Sequence, residues 1–127
     1  MLSQSEVSAN FPASDLGRAR KFYSEKLGMS PVEENAEYLT YEAGNGTRFG
    51  VYRTEFAGKA GHTLAQWHVS DIEKEVHELR DKGVTFEEYD LPGLEWNDGI
   101  ASGEMGRAAW FKDSEGNTLC IDQVAQS

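Results

Sequence analysis

The sequence repeats one pattern of residues, and this internal repeat limits the possible folds more than any other feature. Ser14-Asp15-Leu16 begins a segment with helical spacing that ends at Lys26-Leu27-Gly28. A second such segment begins at Ser70-Asp71-Ile72, 56 residues later, and ends at Asp81-Lys82-Gly83. A repeat of this length predicts two copies of one structural unit, and each copy alone would leave a sheet face uncovered.

The first copy predicts a strand, a helix and three further strands. Ser14 is expected to cap the helix, which Gly28 ends. Gly44-Asn45-Gly46 is expected to form a hairpin turn. The strands after the helix are expected at Pro31 to Glu34, Glu37 to Ala43 and Thr47 to Arg53.

The second copy predicts the same order of elements. Ser70 and Glu73 have the spacing of a capping box at the start of its helix. The segment Leu91 to Gly103, with its Pro and Gly residues, is expected to be an irregular loop. Strands are expected at Leu64 to Val69, Val84 to Tyr89, Gly106 to Phe111 and Thr118 to Val124.

Length and repeat together predict one α+β domain over residues 1–127. Module one covers about residues 7–56, and module two covers about residues 62–124. A content of 39% hydrophobic residues is enough for a packed core. The two modules are expected to cover each other, with the helices outside and a concave sheet face inside.

Charge and cysteine content restrict the partners and the compartment. The formal net charge of −10 would repel nucleic acid and anionic membranes, so neither is expected as a partner. The same charge suits a neutral or cationic small molecule. The lone Cys120 cannot form an intramolecular disulfide, and no stretch has the length or apolarity of a signal or a membrane span. We therefore expect a cytoplasmic protein.

The repeated segments also carry a family resemblance. Residues 14–28 resemble the first-helix signature of the vicinal oxygen chelate superfamily of glyoxalases, bleomycin-resistance proteins and dioxygenases. Ser70 to Val84 and Trp110 to Leu119 resemble its second-half signatures. The resemblance implies two βαβββ modules whose sheets form an open, incompletely closed barrel around a cavity. For the bleomycin-resistance branch it also implies homodimers with sites between the subunits.

Catalytic members of this superfamily hold a divalent metal with four side chains, usually His, Glu or Gln. The resemblance places these positions at Ser8, Gly50 (or the neighbouring Phe49), Leu64 and Cys120. A divalent ion needs several nitrogen or oxygen ligands, which this set does not supply. We therefore expect no metal and no other cofactor.

Strand alternation places further side chains on the face of these four positions. His68 is the most versatile of them, and His68 with Asp122 is the candidate catalytic pair. Trp96 is expected to cover the mouth of the cavity from the loop. Trp67 is next to His68 on one strand, so its side chain points to the opposite face and is expected in the core. The candidate ligand-binding residues are Asn10, Arg48, Tyr52, Gln66, His68, Trp96, Cys120 and Asp122.

These observations favour a metal-free homodimer that sequesters a small organic compound without transforming it. An enzyme is the alternative: a lyase or isomerase that uses His68 and Asp122, or a glyoxalase-like or dioxygenase-like enzyme whose metal ligands lie elsewhere. A simple interaction module is a third possibility.

Overall fold

The computed structural model describes residues 1–104 and 106–124, which contain two α-helices, two short 3-10 helices and ten strands; the strands form two sheets. Module one consists of β1 (Ala9–Ala13), α1 (Leu16–Glu25), β2 (Glu33–Glu34), β3 (Tyr38–Glu42) and β4 (Arg48–Arg53). Module two consists of β5 (Thr63–His68), α2 (Ile72–Asp81), β6 (Phe86–Glu87), β7 (Glu95–Asn97), β8 (Ile100–Gly103), β9 (Gly106–Lys112) and β10 (Thr118–Val124).

The two modules share one topology. The strand order is β1-β4-β3-β2 in module one, and β5, β10, β9 and β6 are paired in the same succession in module two. The first strand of each module is parallel to its last strand. The predicted α+β fold of two βαβββ modules is confirmed, and the two sheets do not close into a barrel. Neither described helix is long and apolar enough to cross a membrane.

Each helix is capped by aspartate rather than by the expected serine. Asp15 Oδ1 accepts a hydrogen bond of 3.0 Å from the Arg18 amide, and Asp71 Oδ1 accepts one of 3.2 Å from the Lys74 amide. The expected Ser14 cap and the capping box of Ser70 and Glu73 are therefore wrong. Aspartate caps a helix as well as serine does, so residue type alone did not separate these neighbours.

The segment Leu91 to Gly103, expected to be an irregular loop, contains the β7–β8 hairpin. Asp98 and Gly99 form its two-residue turn with φ values of 55° and 81°. Positive φ at both central residues is the geometry that Asp-Gly sequences favour in hairpins. Strand β8 pairs with the first half of β9, and β6 pairs with the second half of β9.

Hydrophobic side chains of both modules form one core cluster on the helix-facing sides of the sheets. Phe11 on β1 joins the two modules, because its ring centroid lies 4.5 Å from that of Phe49 and 6.4 Å from that of Trp67 on β5. The expected core position of Trp67 is confirmed. Ala19 and Tyr23 on α1, and Ile72 and Val76 on α2, complete the contact between helices and sheets.

A turn of module two is hydrogen-bonded to the start of α1 in module one. Within this turn, which we call the Asp113–Asn117 clasp, the fully buried Glu115 carboxylate accepts hydrogen bonds from the amides of Ser14 (2.9 Å) and Asp15 (3.0 Å). Arg18 Nε donates to the same carboxylate at 2.7 Å. Asp113 accepts a 2.8 Å hydrogen bond from the Tyr23 hydroxyl. The modules are thus joined by polar contacts as well as by the shared core.

Candidate functional site

The sheet face of module two that points away from the core forms a recess of about 560 Å³. Cross-strand pairing orders its residues into rows. One row runs from His68 through Asp122, Ala108 and Ala101 to Trp96. The next row contains Gln66, Cys120 and Trp110. Because Ala101 and Ala108 are small, the centre of the first row remains open.

His68 and Asp122, which sequence parity placed on one face, are in direct contact. His68 Nδ1 lies 2.7 Å from Asp122 Oδ1 across the parallel β5–β10 pair. The His68 side chain is 71% exposed, whereas that of Asp122 is 17% exposed. A carboxylate accepts a hydrogen bond from Nδ1–H, and this leaves Nε2 available to a ligand. This pair can serve as a hydrogen-bonding anchor or in acid–base chemistry.

Three aromatic rings form a wall beside these rows. The ring centroid of Trp110 lies 5.9 Å from that of Tyr89 and 5.8 Å from that of Trp96. The Trp110 indole is oriented by a 2.9 Å hydrogen bond from Nε1 to Thr63 Oγ1. Burial, and then the charge of Glu87, raises the pKa of Tyr89. Tyr89 and Thr63 were missed by the sequence argument.

Trp96 occupies a different place from the expected loop over the mouth. It lies on β7, half-buried against Trp110 and Tyr89, and is not among the residues that line the recess. Its Nε1 is buried and has no hydrogen-bond partner among residues 1–104 and 106–124. Trp96 therefore supports the aromatic wall from the outer side.

A β-bulge explains why Thr63 rather than Leu64 lines the recess. Thr118 pairs with Thr63 but Leu119 pairs with Ala65, so one extra residue of β5 stands opposite β10. A bulge reverses the alternation of side chains on either side of it. Leu64 packs against the core cluster instead, and its expected position toward the cavity is wrong.

The other candidates lie on the exposed face of module one, which forms a wide groove of about 1490 Å³. Asn10, Arg48 and Tyr52 line this groove. Tyr52 pairs across the sheet with Tyr38, and each residue is 41% exposed. The groove shares no lining residue with the module-two recess. The structure therefore does not bring the two groups of candidates together within one chain.

The four family positions for metal ligands do not fit a divalent ion. A Cβ at Gly50 would lie 2.5 Å from Asn10 Oδ1, so the Asn10 side chain fills the space of a ligand at that position. Leu64 is apolar, and the alternative Phe49 is a buried core residue. Burial, and then the Asp122 charge, raises the pKa of Cys120 to about 12, so the free thiol is protonated and is not an activated nucleophile.

No group of three His, Cys, Asp or Glu residues suited to a metal occurs in the described part of the chain.

Comparison with known proteins places the chain in a family. The model of the Glyoxalase/Bleomycin resistance protein/Dioxygenase superfamily matches residues 7–121, which is most of the sequence. A search of curated proteins finds no match.

Solved structures share the fold at low sequence identity. TnmS3, an antibiotic binding protein from Streptomyces sp. CB03234, is 20% identical over 98% of this chain and 100% of its own, with a TM-score of 0.71. A bleomycin-binding protein complexed with bleomycin is 18% identical over 96% of this chain and 100% of its own, with a TM-score of 0.70. The fosfomycin resistance protein FosX from Listeria monocytogenes, complexed with Mn(II) and sulfate, is 10% identical over 96% of this chain and 91% of its own, with a TM-score of 0.69.

Proposed function

Because the chain belongs to the Glyoxalase/Bleomycin resistance protein/Dioxygenase superfamily, we propose that it binds a small organic molecule without a metal ion and without transforming it. The module-two recess is the observation that carries this proposal. Trp110 of the aromatic wall, the small Ala101 and Ala108, and Asp122 line it, and Asp122 Oδ1 lies 2.7 Å from Nδ1 of the exposed His68. A few polar groups set in apolar walls are typical of small-molecule sites.

The charge of the recess supports a neutral or cationic ligand. Glu104 and Asp122 line it together with one arginine, Arg107, which is already paired with Glu73 at 2.8 Å. The aromatic wall suits a planar or cationic group. Two of the structures with this fold are named for binding an antibiotic or bleomycin, which supports a small organic ligand.

The proposed working form is a homodimer in the cytoplasm. Asn10, Arg48 and Tyr52 belong to the proposed ligand-binding set, yet they line the module-one groove rather than the recess. They can join the site only when the groove of one copy faces the recess of another. A two-fold axis would create two such combined sites, with each copy giving both surfaces.

Recovery of a bound compound tests this function directly. The protein is purified from expressing cells and studied by native mass spectrometry, and metal-free bleomycin is then titrated as a first defined probe. Binding of an organic compound that is recovered unchanged supports the proposal. The absence of a bound compound in native spectra, together with no binding of bleomycin or a wider panel of cationic aromatic compounds, would contradict it.

An enzyme is the second candidate, and the 2.7 Å contact between His68 and Asp122 favours it. An exposed imidazole oriented by a carboxylate has the arrangement of a general base. A compound that is recovered chemically changed, with the change lost in His68→Gln, would establish a lyase or isomerase instead of a binding protein.

We expect the purified protein to contain no stoichiometric transition metal. The reason is that Gly50 and Leu64 carry no side-chain donor atom, which leaves the buried Cys120 without the partner ligands that a divalent ion needs. Elemental analysis measures this, and bleomycin binding before and after chelation is the control. About one Zn, Ni, Fe or Mn ion per chain, whose removal abolishes ligand binding, would contradict the expectation.

Replacing His68 or Trp96 by alanine is expected to weaken binding of the recovered compound or of bleomycin about two- to tenfold. Loss of one neutral hydrogen bond from His68 to the ligand, or of the Trp96 ring contact that supports Trp110, has this size. Isothermal titration measures the affinity, and circular dichroism verifies the fold. His77→Ala is the matched control, because His77 is 78% exposed on α2, away from the recess. Unchanged affinity in both variants would place the ligand elsewhere.

A further inference from the structure

The β7–β8 hairpin forms one wall of the module-two recess from the edge of its sheet. Strand β7 is the outermost strand, and β8 is joined to β9 by only three residue pairs. Leu94, Ala101 and Gly103 of this segment line the recess. Because an edge hairpin has few neighbours, its position depends on contacts outside the sheet.

The outer face of the hairpin is turned toward α2. Asn97, Ile100 and Ser102 alternate with Trp96 and Ala101, and they line a crevice of about 330 Å³ together with Val76 and Arg80 of α2. The inner face of the β7–β8 hairpin therefore lines the recess, and its outer face lines the crevice beside α2. A contact on the outer face can fix the wall of the recess.

Arg80 makes that contact at the tip of the hairpin. Its guanidinium donates to the Asp98 carbonyl at 2.7 Å and lies 3.0 Å from the Asp98 carboxylate. Arg80 Cζ also lies 5.5 Å from the ring centroid of Phe86. The approach is so close that a Cβ at Gly99 would lie 2.6 Å from an Arg80 nitrogen. Glu88 adds a second tie by accepting a 2.9 Å hydrogen bond from the Gly99 amide.

The aromatic wall depends on the position of this hairpin. Trp96 lies two residues before Asp98 of the turn, and its indole contacts Trp110 and Tyr89 through ring faces and edges. Its N–H has no acceptor among the described residues, so no hydrogen bond from the indole fixes the ring. The backbone of β7 therefore decides where the Trp96 ring supports Trp110.

We propose that Arg80 is a positioning residue that latches the β7–β8 hairpin to α2 and thereby sets the wall of the recess. This inference rests on the proposed ligand site. Arg80 touches no ligand in this scheme and acts through Asp98 on Trp96. Release of the latch would let the hairpin open at the sheet edge, so Arg80 would control how tightly the recess holds a ligand.

Hydrogen exchange of the ligand-free protein tests the latch, with Arg80→Gln compared with Arg80→Lys and with Arg20→Gln. Arg20 is the matched control because it forms a bidentate pair with Glu34 in module one. Loss of charge-assisted hydrogen bonds at the tip is expected to raise exchange in peptides spanning residues 94–103 about tenfold. Arg80→Lys should restore part of the protection, and Arg20→Gln should leave it unchanged.

Fluorine NMR of protein labelled with 5-fluorotryptophan gives the second readout. In Arg80→Gln the Trp96 and Trp110 resonances should shift or broaden, whereas the Trp67 resonance in the core should not move. Unchanged exchange and resonances would overturn the latch, and so would exchange that rises equally in β1 and β4. Neither measurement needs a ligand, so failure of the protein to bind any compound would count against the proposed function alone.

Discussion

Replacing Glu115 with alanine is expected to lower the free energy of unfolding by about 3 to 5 kcal/mol. Glu115 accepts hydrogen bonds from two amides and from Arg18, and each partly buried donor left without its acceptor costs about 1 to 3 kcal/mol. The Glu115 side chain is fully buried, whereas Arg18 keeps half of its surface exposed. The variant would leave the amides of Ser14 and Asp15 without their acceptor at the start of α1. Urea denaturation followed by circular dichroism measures the loss.

Glu34→Ala is the matched control for this change. Glu34 also pairs with an arginine, Arg20, at 2.7 Å, but both side chains are about half exposed. Exposed ion pairs contribute about 0 to 1 kcal/mol, so this variant should unfold close to the wild type. Equal stability losses in the two variants would contradict a special role of the Asp113–Asn117 clasp.

The same carboxylate should make stability depend on pH in the acid range. Burial raises the pKa of Glu115, but hydrogen bonds from Arg18, Asp15 and Ser114 outweigh it and hold the pKa at about 2, below the ordinary 4.5. A lowered pKa in the folded state stabilises the protein above pH 4.5, and this contribution is lost as the pH falls from 4.5 through 2. The loss amounts to about 3 kcal/mol.

The difference between wild type and Glu115→Ala isolates this effect, because the other carboxylates titrate in both proteins. Their stability gap should be widest above pH 5 and should narrow toward pH 2. A gap that stays constant over this range would mean that Glu115 acts through packing rather than through its charge.

The repeat made the two modules predictable, because helix spacing and turn residues are local signals. The pairing of His68 with Asp122 was predictable for the same reason. Simple alternation placed both residues on one face, and no bulge interrupts the β5–β10 pairing at these positions. The bulge at Leu64 could not be predicted, because it arises from the pairing of β5 with β10 and the sequence of β5 alone does not show it. The Asp98-Gly99 turn was present in the sequence but was included in a loop because the strands beside it are short.

The clasp shows a second limit of sequence reading. Acidic residues in a turn such as Asp113-Ser114-Glu115 are typical of an exposed hairpin, so residue type alone gives no sign of their burial. Their donors lie about one hundred positions earlier, at Ser14, Asp15 and Arg18. Only the packing of module one against module two reveals that these carboxylates are buried.

Tyr52→Glu is expected to convert the proposed dimer into a monomer and to remove ligand binding with it. Tyr52 and its cross-strand partner Tyr38 are aromatic and partly exposed, and both line the module-one groove that the proposal places against a second copy. A charge in place of an aromatic contact at the centre of an interface costs about 2 kcal/mol or more, which raises the dissociation constant of the dimer about 30-fold or more.

Light scattering coupled to size exclusion should give about twice the 14.1 kDa chain mass for the wild type and the mass of one chain for Tyr52→Glu. Phe56→Glu is the matched control, since Phe56 is 74% exposed in the segment between the modules, outside the groove. It should remain a dimer and bind the recovered compound or bleomycin normally. A Tyr52→Glu protein that stays dimeric would show that the groove faces solvent. A monomeric variant that still binds the ligand with full affinity would show that the module-two recess is complete within one chain.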